Sequence, residues 1–258
     1  MPAPDDLPPA RIGCVKYLNA RPLIYGWPGE VRFDHPAVLC RALAAGELDV
    51  ALVSSFEYLR HPAYSVVDQV AIASAGPVYS VILAHLGGLD SLREIVLDPA
   101  SETSVALLRC LLGERGLAPE FVREGELSPP RGQLLIGDQA IRFRAEANDH
   151  VQILDLGAAW QEAIGLPFVY ALWLVRPDYP AGREVAAALR ALAQENLAQI
   201  ERLIAIEPKS RRPFCEFYFR RCLRFSFGED EKRGFQKFAQ LCAKQNLLPS
   251  VPPPPPLV

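Results

Sequence analysis

Residues Asp49–Ser55 read DVALVSS, four apolar or small positions in an unbroken run that ends on two hydroxyls. A helical pattern near Ala37–Ala45 precedes it and stops at Gly46, so the run reads as a buried strand delivering Ser54 and Ser55 to a loop. Similar short runs lie on either side. RIGCV (Arg11–Val15) comes before it; VILAHL (Val81–Leu86), a helix near Ser104–Arg115 and QLLIG (Gln133–Gly137) come after. Strands alternating with helices argue for mixed, mostly parallel sheets covered on both faces. In open sheets of this kind, ligands bind outside the carboxyl ends of the strands.

Two long apolar runs, VYSVILAHL (Val78–Leu86) and FVYALWLV (Phe168–Val175), bracket a middle unit that begins after Gly87-Gly88 and ends near Pro167. Read as two crossings, they predict an α/β protein of two lobes around a central cleft. Lobe 1 takes residues 11–86 and 168–249, and lobe 2 takes 87–167. The helical pattern VAAALRALAQENLAQIERLIA (Val185–Ala205) returns to lobe 1. Residues 1–10 are expected to be a disordered leader. The polyproline tail, 250–258, is expected to stay extended or disordered outside helix and sheet. No internal repeat is visible.

Composition narrows the function classes. Half of the 258 residues are hydrophobic and 22% are charged, enough to bury a full core, and the net charge of −3 offers no field to hold nucleic acid. No apolar stretch reaches the roughly 18–20 residues of a membrane span. The start, MPAPDDLPPARIG, has neither the basic residues nor the apolar run of a secretory signal, which predicts a cytoplasmic protein. Six cysteines (Cys14, Cys40, Cys110, Cys215, Cys222, Cys242) include no CxxC pair and read as reduced, buried thiols. His35, His61, His85 and His150 do not cluster with them, so no metal is expected. GxGxxG, Walker A, GxSxG and HExxH are all missing, and no cofactor is expected. The sequence does not distinguish a monomer from a homodimer.

Candidate residues fall where strands should end. Asn19 in YLNARP (Tyr17–Pro22) either caps the next helix or faces the cleft, and Ser54 and Ser55 either cap a turn or contact a ligand. In VLDPASETSVALL, Ser101, Thr103 and Ser104 gather at a helix start, where free N–H groups and hydroxyls make an anion site or simply a cap. Gly137 permits close backbone approach, and Asp138 beside it binds substrate or caps a helix. Glu57 reads as a first-turn helix carboxylate. The basic run KSRR (Lys209–Arg212), with Arg220, Arg221 and Arg224, reads as a solvated face with FCEFYF packing inward.

Taken together, RIGCVKYLNARPL, DVALVSSFEYL, GPVYSVIL, ASETSVALL, LIGDQAI, DLGAAW, GLPFVYALW and YFRRCLRF resemble, in order and spacing, the chorismate dehydratase family of the futalosine route to menaquinone. That resemblance implies a type II periplasmic-binding-protein fold and a cofactor-independent hydro-lyase acting on chorismate. It places Asn19 and Ser80 in the cleft near the reacting ring, with Ser54, Thr103, Ser104 and Asp138 as substrate contacts. The family usually has Thr where this chain has Ile164 and commonly Arg where it has Glu102. Three rivals share the fold: a solute-binding protein, a 1,4-dihydroxy-6-naphthoate synthase and a regulator's effector domain. The missing export signal, the absence of an SPCPNDT-like opening and the lack of a preceding helix-turn-helix speak against each in turn.

Loss of water aromatises chorismate, with charge building on its ring carboxylate as hydroxide leaves, so holding that charge is the main catalytic task. On this expectation Thr103 and Ser104 hold a carboxylate, while Asn19 and Ser80 orient the ring and assist the departing hydroxyl. The base is Asp138, Glu57 or, preferably, the substrate's own enolpyruvyl carboxylate, which is tethered close to the acidic carbon.

Overall fold

Val50–Ser54, buried at all five positions, is strand β3 of the first of two five-stranded sheets. The computed structural model describes residues 10–97 and 102–258; the expected leader therefore lies outside the described residues except for Ala10. The other strands are β1 (Ile12–Val15), β2 (Val31–Asp34), β4 (Ser65–Ser74), β5 (Val81–His85), β6 (Glu94–Val96), β7 (Glu120–Val122), β8 (Arg131–Ile136), β9 (Gln152–Asp155) and β10 (Phe168–Val175). The helices are α1 (Arg21–Ile24), α2 (Pro36–Ala44), α3 (Ser55–Arg60), α4 (Glu102–Glu114), α5 (Gly137–Glu146), α6 (Leu156–Ile164), α7 (Gly182–Ala198), α8 (Ile200–Ala205), α9 (Arg212–Phe217) and α10 (Glu229–Lys244).

One sheet runs β2-β1-β3-β10-β4 and the other β7-β6-β8-β5-β9. Renumbered within each lobe, both follow one order, 2-1-3-n-4, with n the strand that arrives from the other lobe. Within each sheet the pairs among strands 1, 2 and 3 are parallel, whereas both pairs made by the crossing strand are antiparallel. The sheets are thus mixed as expected, but half of the pairings are antiparallel, because a strand entering from the opposite lobe runs against its hosts. This topology is that of a two-lobed periplasmic-binding-protein fold.

β10 is buried along its whole length, which explains its unbroken apolar sequence. Behind it Phe168 meets Trp160 of α6 at 5.0 Å and Phe238 of α10 at 4.9 Å between ring centroids. Burying each such ring contributes on the order of 2 kcal/mol. All six cysteines are buried thiols.

The tail departs from expectation, since it joins the sheet. The Val66 N–H donates to Pro256 O at 2.8 Å, the Asp68 N–H to Val258 O at 3.0 Å and the Val258 N–H to Val66 O at 3.0 Å. Proline has no N–H to donate, but its carbonyl still accepts, and an edge position needs no more. Tyr58 Oη donates to Pro253 O at 3.1 Å, and the prolines from Pro252 to Pro255 line a cavity together with Leu59, Phe227, Phe235 and Ala239.

Candidate active site

Both sheets turn the carboxyl ends of their first and third strands toward one interior space. Asn19 sits in a short 3-10 turn after β1, Ser54 closes β3, Gly137 opens α5 after β8, and Thr103 and Ser104 lie in the first turn of α4. With Ser80, which precedes β5, these residues line a single cavity of about 60 Å³. Six of the ten residues singled out from sequence are thus brought together. Ser101 lies outside the described residues. Asp138 is in an outer hollow with Lys16, Tyr17, His35, Gln139 and Arg142, and its Oδ1 accepts the Leu18 N–H at 3.2 Å. Glu57 is elsewhere: buried in α3, it is held by Arg60 Nη2 at 2.8 Å and does not reach the cavity.

The two family departures also lie outside the cavity lining. Glu102 bonds to Arg60 in an open groove, and Ile164 packs at the end of α6. In the KSRR region three of the cations pair with carboxylates, Arg211 with Glu207, Arg220 with Glu201 and Arg224 with Glu231, while Arg212 donates to the Glu207 and Ala205 carbonyls. Of FCEFYF, Phe217 stays exposed while Cys215, Tyr218 and Phe219 pack inward.

Thr103 has a role beyond a cap. Its Oγ1 accepts the Phe56 N–H at 3.1 Å and contacts the Ser54 hydroxyl, so it clasps the lobes together beside the cavity. Gly137 makes a second junction. At φ +55° it lies against Tyr17, whose ring atoms are 2.8 and 3.0 Å from where a Cβ would be, and its N–H donates to Ser80 O at 2.8 Å.

The remaining lining is Val15, Tyr17, Pro36, Ile72, Val78, Val81, Ile136, Tyr170 and Ala171. Among the described residues, no lining side chain carries a charge. Sequence reading missed Tyr170, the polar-headed ring in the otherwise apolar FVYALWLV; its Oη meets Ser74 Oγ at 3.0 Å, and burial pushes its phenol well up. It also missed Asp155, the first residue of DLGAAW, which organises the crossing loop. Its carboxylate accepts the N–H groups of Val78 (3.0 Å), Tyr79 (2.8 Å), Gly157 (3.0 Å) and Ala158 (3.1 Å) and pairs with Arg144. Asn19 Oδ1 is buried with no hydrogen-bond partner among the described residues. An unpaired buried acceptor costs about 1–3 kcal/mol, which a donor brought by a ligand would recover.

A sequence profile described as menaquinone biosynthesis matches residues 10–244. The chain belongs to that family. One relative, the chorismate dehydratase of Thermus thermophilus, is 34% identical over 90% of this chain and 94% of its own length. Solved structures share the fold: an Archaeoglobus fulgidus protein at TM-score 0.67 and 17% identity covers 93% of this chain and 98% of its own. The periplasmic aliphatic sulphonate binding protein of Escherichia coli, at TM-score 0.60 and 17% identity, covers 94% of this chain and 89% of its own. Within the menaquinone biosynthesis family, then, this chain keeps a binding-protein architecture around a hydroxyl-bearing cavity whose lining, among the described residues, has no charged side chain.

Proposed function

We infer that this chain is a chorismate dehydratase, eliminating water from chorismate to give 3-[(1-carboxyvinyl)oxy]benzoate, in the cytoplasm and on the futalosine route. Family membership and the Thermus thermophilus relative support the substrate. The observation that carries the mechanism is the composition of the cavity, which presents an amide, hydroxyls and a helix first turn but no charged side chain among the described residues. Such a site holds and polarises its substrate rather than deprotonating it.

Elimination breaks one ring C–H bond and one C–O bond, and the electron pair released from the C–H bond enters the ring as hydroxide departs. The substrate's own enolpyruvyl carboxylate takes the proton, since Asp138 and Glu57 both lie outside the cavity lining. Asn19 Oδ1 accepts from the ring hydroxyl, which satisfies the orphaned oxygen, and Ser80 donates to the same hydroxyl as it leaves. The first turn of α4, at the positive end of the helix, stabilises the charge on the ring carboxylate.

Incubating purified protein with chorismate and following the aromatic product by absorbance and mass spectrometry tests this directly. Stoichiometric product is expected. Saturable chorismate binding without product would instead mark a solute-binding protein.

A further inference from the structure

The motif YFRRCLRF supplies no residue to the cavity lining. Its first residue, Tyr218, is fully buried behind the cavity. There the chain leaves α9 and makes a π-helical turn, Tyr218–Cys222. Single π turns cost hydrogen-bond geometry and recur at functional sites, where they re-aim a side chain. Here the turn brings the phenol to Ser80: Tyr218 Oη donates to Ser80 Oγ at 2.6 Å, with both residues at 0% exposure.

The surroundings fix the ring. Phe214 stacks on Tyr218 at 5.4 Å and 16°, and Phe214 and Phe217 in turn hold Tyr79, the residue before Ser80, at 5.2 and 5.9 Å. One aromatic cluster therefore positions both the phenol and the loop that bears its acceptor.

We propose that Tyr218 is a positioning residue for the dehydration, fixing Ser80 through its hydroxyl as a hydrogen-bond donor toward the departing ring hydroxyl. This rests on the dehydratase reading. A serine hydroxyl has one proton and can rotate to donate in several directions. With a phenol proton on its oxygen, Ser80 cannot donate back to Tyr218, and its own proton turns toward the cavity. A donor chain of this kind also polarises: the Tyr218 bond strengthens the next one, from Ser80 to the departing oxygen. Burial, with the Asp138 charge adding to it, holds the Tyr218 phenol well above its ordinary range, and the hydrogen bond to Ser80 opposes that rise only in part. Tyr218 therefore keeps its proton and donates throughout the cycle. It supplies direction and polarisation while no proton passes through it.

The experiment is steady-state turnover of chorismate by the full-length wild type, Tyr218→Phe, Ser80→Ala and the double variant. Phenylalanine keeps the ring and its stack, so Tyr218→Phe should lower kcat roughly 10- to 100-fold while KM changes less than about threefold. In the Ser80→Ala background the second change should lower kcat by less than about threefold, because the phenol acts only through Ser80. Incorporating 3-fluorotyrosine at position 218, which retains the donor, should keep kcat within about threefold of wild type. Wild-type kcat in Tyr218→Phe, or full additivity with Ser80→Ala, would overturn the positioning role while leaving the dehydratase reading intact. A wild type that makes no product would overturn both.

Discussion

Asp155 Oδ2 accepts the backbone N–H of Tyr79 at 2.8 Å, one residue before Ser80. The same carboxylate caps α6 through Gly157 and Ala158, so a helix start in lobe 2 and the loop crossing between lobes share one anchor. Tyr79 is held at φ +68°, a conformation that a non-glycine residue keeps only when its surroundings impose it. Replacing Asp155 with Ala strands four N–H groups and Arg144, and should lower unfolding free energy by about 3–5 kcal/mol. Asp155→Asn, which keeps one acceptor oxygen, should lose less stability yet show reduced kcat as Ser80 shifts. Urea unfolding and chorismate turnover, measured on the same preparations, separate the two effects.

The tail makes a different prediction. Pro256 and Val258 occupy the edge of β4 with three main-chain hydrogen bonds, and the prolines form one wall of a cavity with Leu59, Phe227 and Phe235. Deleting residues 251–258 should cost about 2–4 kcal/mol and uncover a strand edge prone to pairing with other chains. Thermal unfolding should shift down by several degrees, and light scattering should rise on heating. Since the tail is remote from the cavity lining, kcat should change less than about twofold.

What the sequence revealed follows from what is local. DVALVSS and QLLIG are strands whose ends can be read from hydrophobic runs, and the residues at those ends, Ser54 and Gly137, do line the cavity. Asp155, Tyr170 and Tyr218 were silent because their partners lie far along the chain: Tyr79, Ser74 and Ser80 are 76, 96 and 138 residues away. Glu57 and Asp138 carried plausible chemistry in sequence, and only packing shows that Arg60 and the Leu18 N–H engage them outside the cavity lining. The two lobes repeat a strand order without repeating a sequence, because topology constrains the pattern of burial and leaves residue identity open.

Acid sensitivity should trace to Asp49. It accepts Arg11 N and Nε, both at 2.9 Å, and Nη2 at 2.6 Å, tying the start of β1 to the start of β3. Burial works to raise its carboxyl, but the Arg11 hydrogen bonds and charge outweigh burial and hold it below the usual range. A lowered folded value means that the stabilisation is fully present above the ordinary carboxylate pKa of about 3.9 and is lost as pH falls through the folded value. Unfolding free energy of the wild type should therefore drop more steeply below about pH 4 than that of Asp49→Asn, which should already be the less stable protein at pH 7. Chemical denaturation across roughly pH 2.5–7 measures both slopes, and equal slopes would remove Asp49 from the acid limb.

Closure of the cleft should depend on Gly137. Its φ of +55° disfavours any Cβ by roughly 1–2 kcal/mol, and here the added carbon would also meet the Tyr17 ring at 2.8 Å from the opposite lobe. The backbone strain acts within lobe 2, whereas the clash acts between lobes, and the two can be separated by a second substitution. Gly137→Ala alone should raise KM for chorismate roughly tenfold, because closing on substrate now requires Tyr17 to move. Adding Tyr17→Ala makes room for the methyl group and should return much of the lost affinity, while the small drop in thermal stability from the backbone strain remains. If Tyr17→Ala fails to rescue Gly137→Ala, the contact between Tyr17 and Gly137 does not govern closure, and the N–H that Gly137 donates to Ser80 O becomes the element that the variant disturbs.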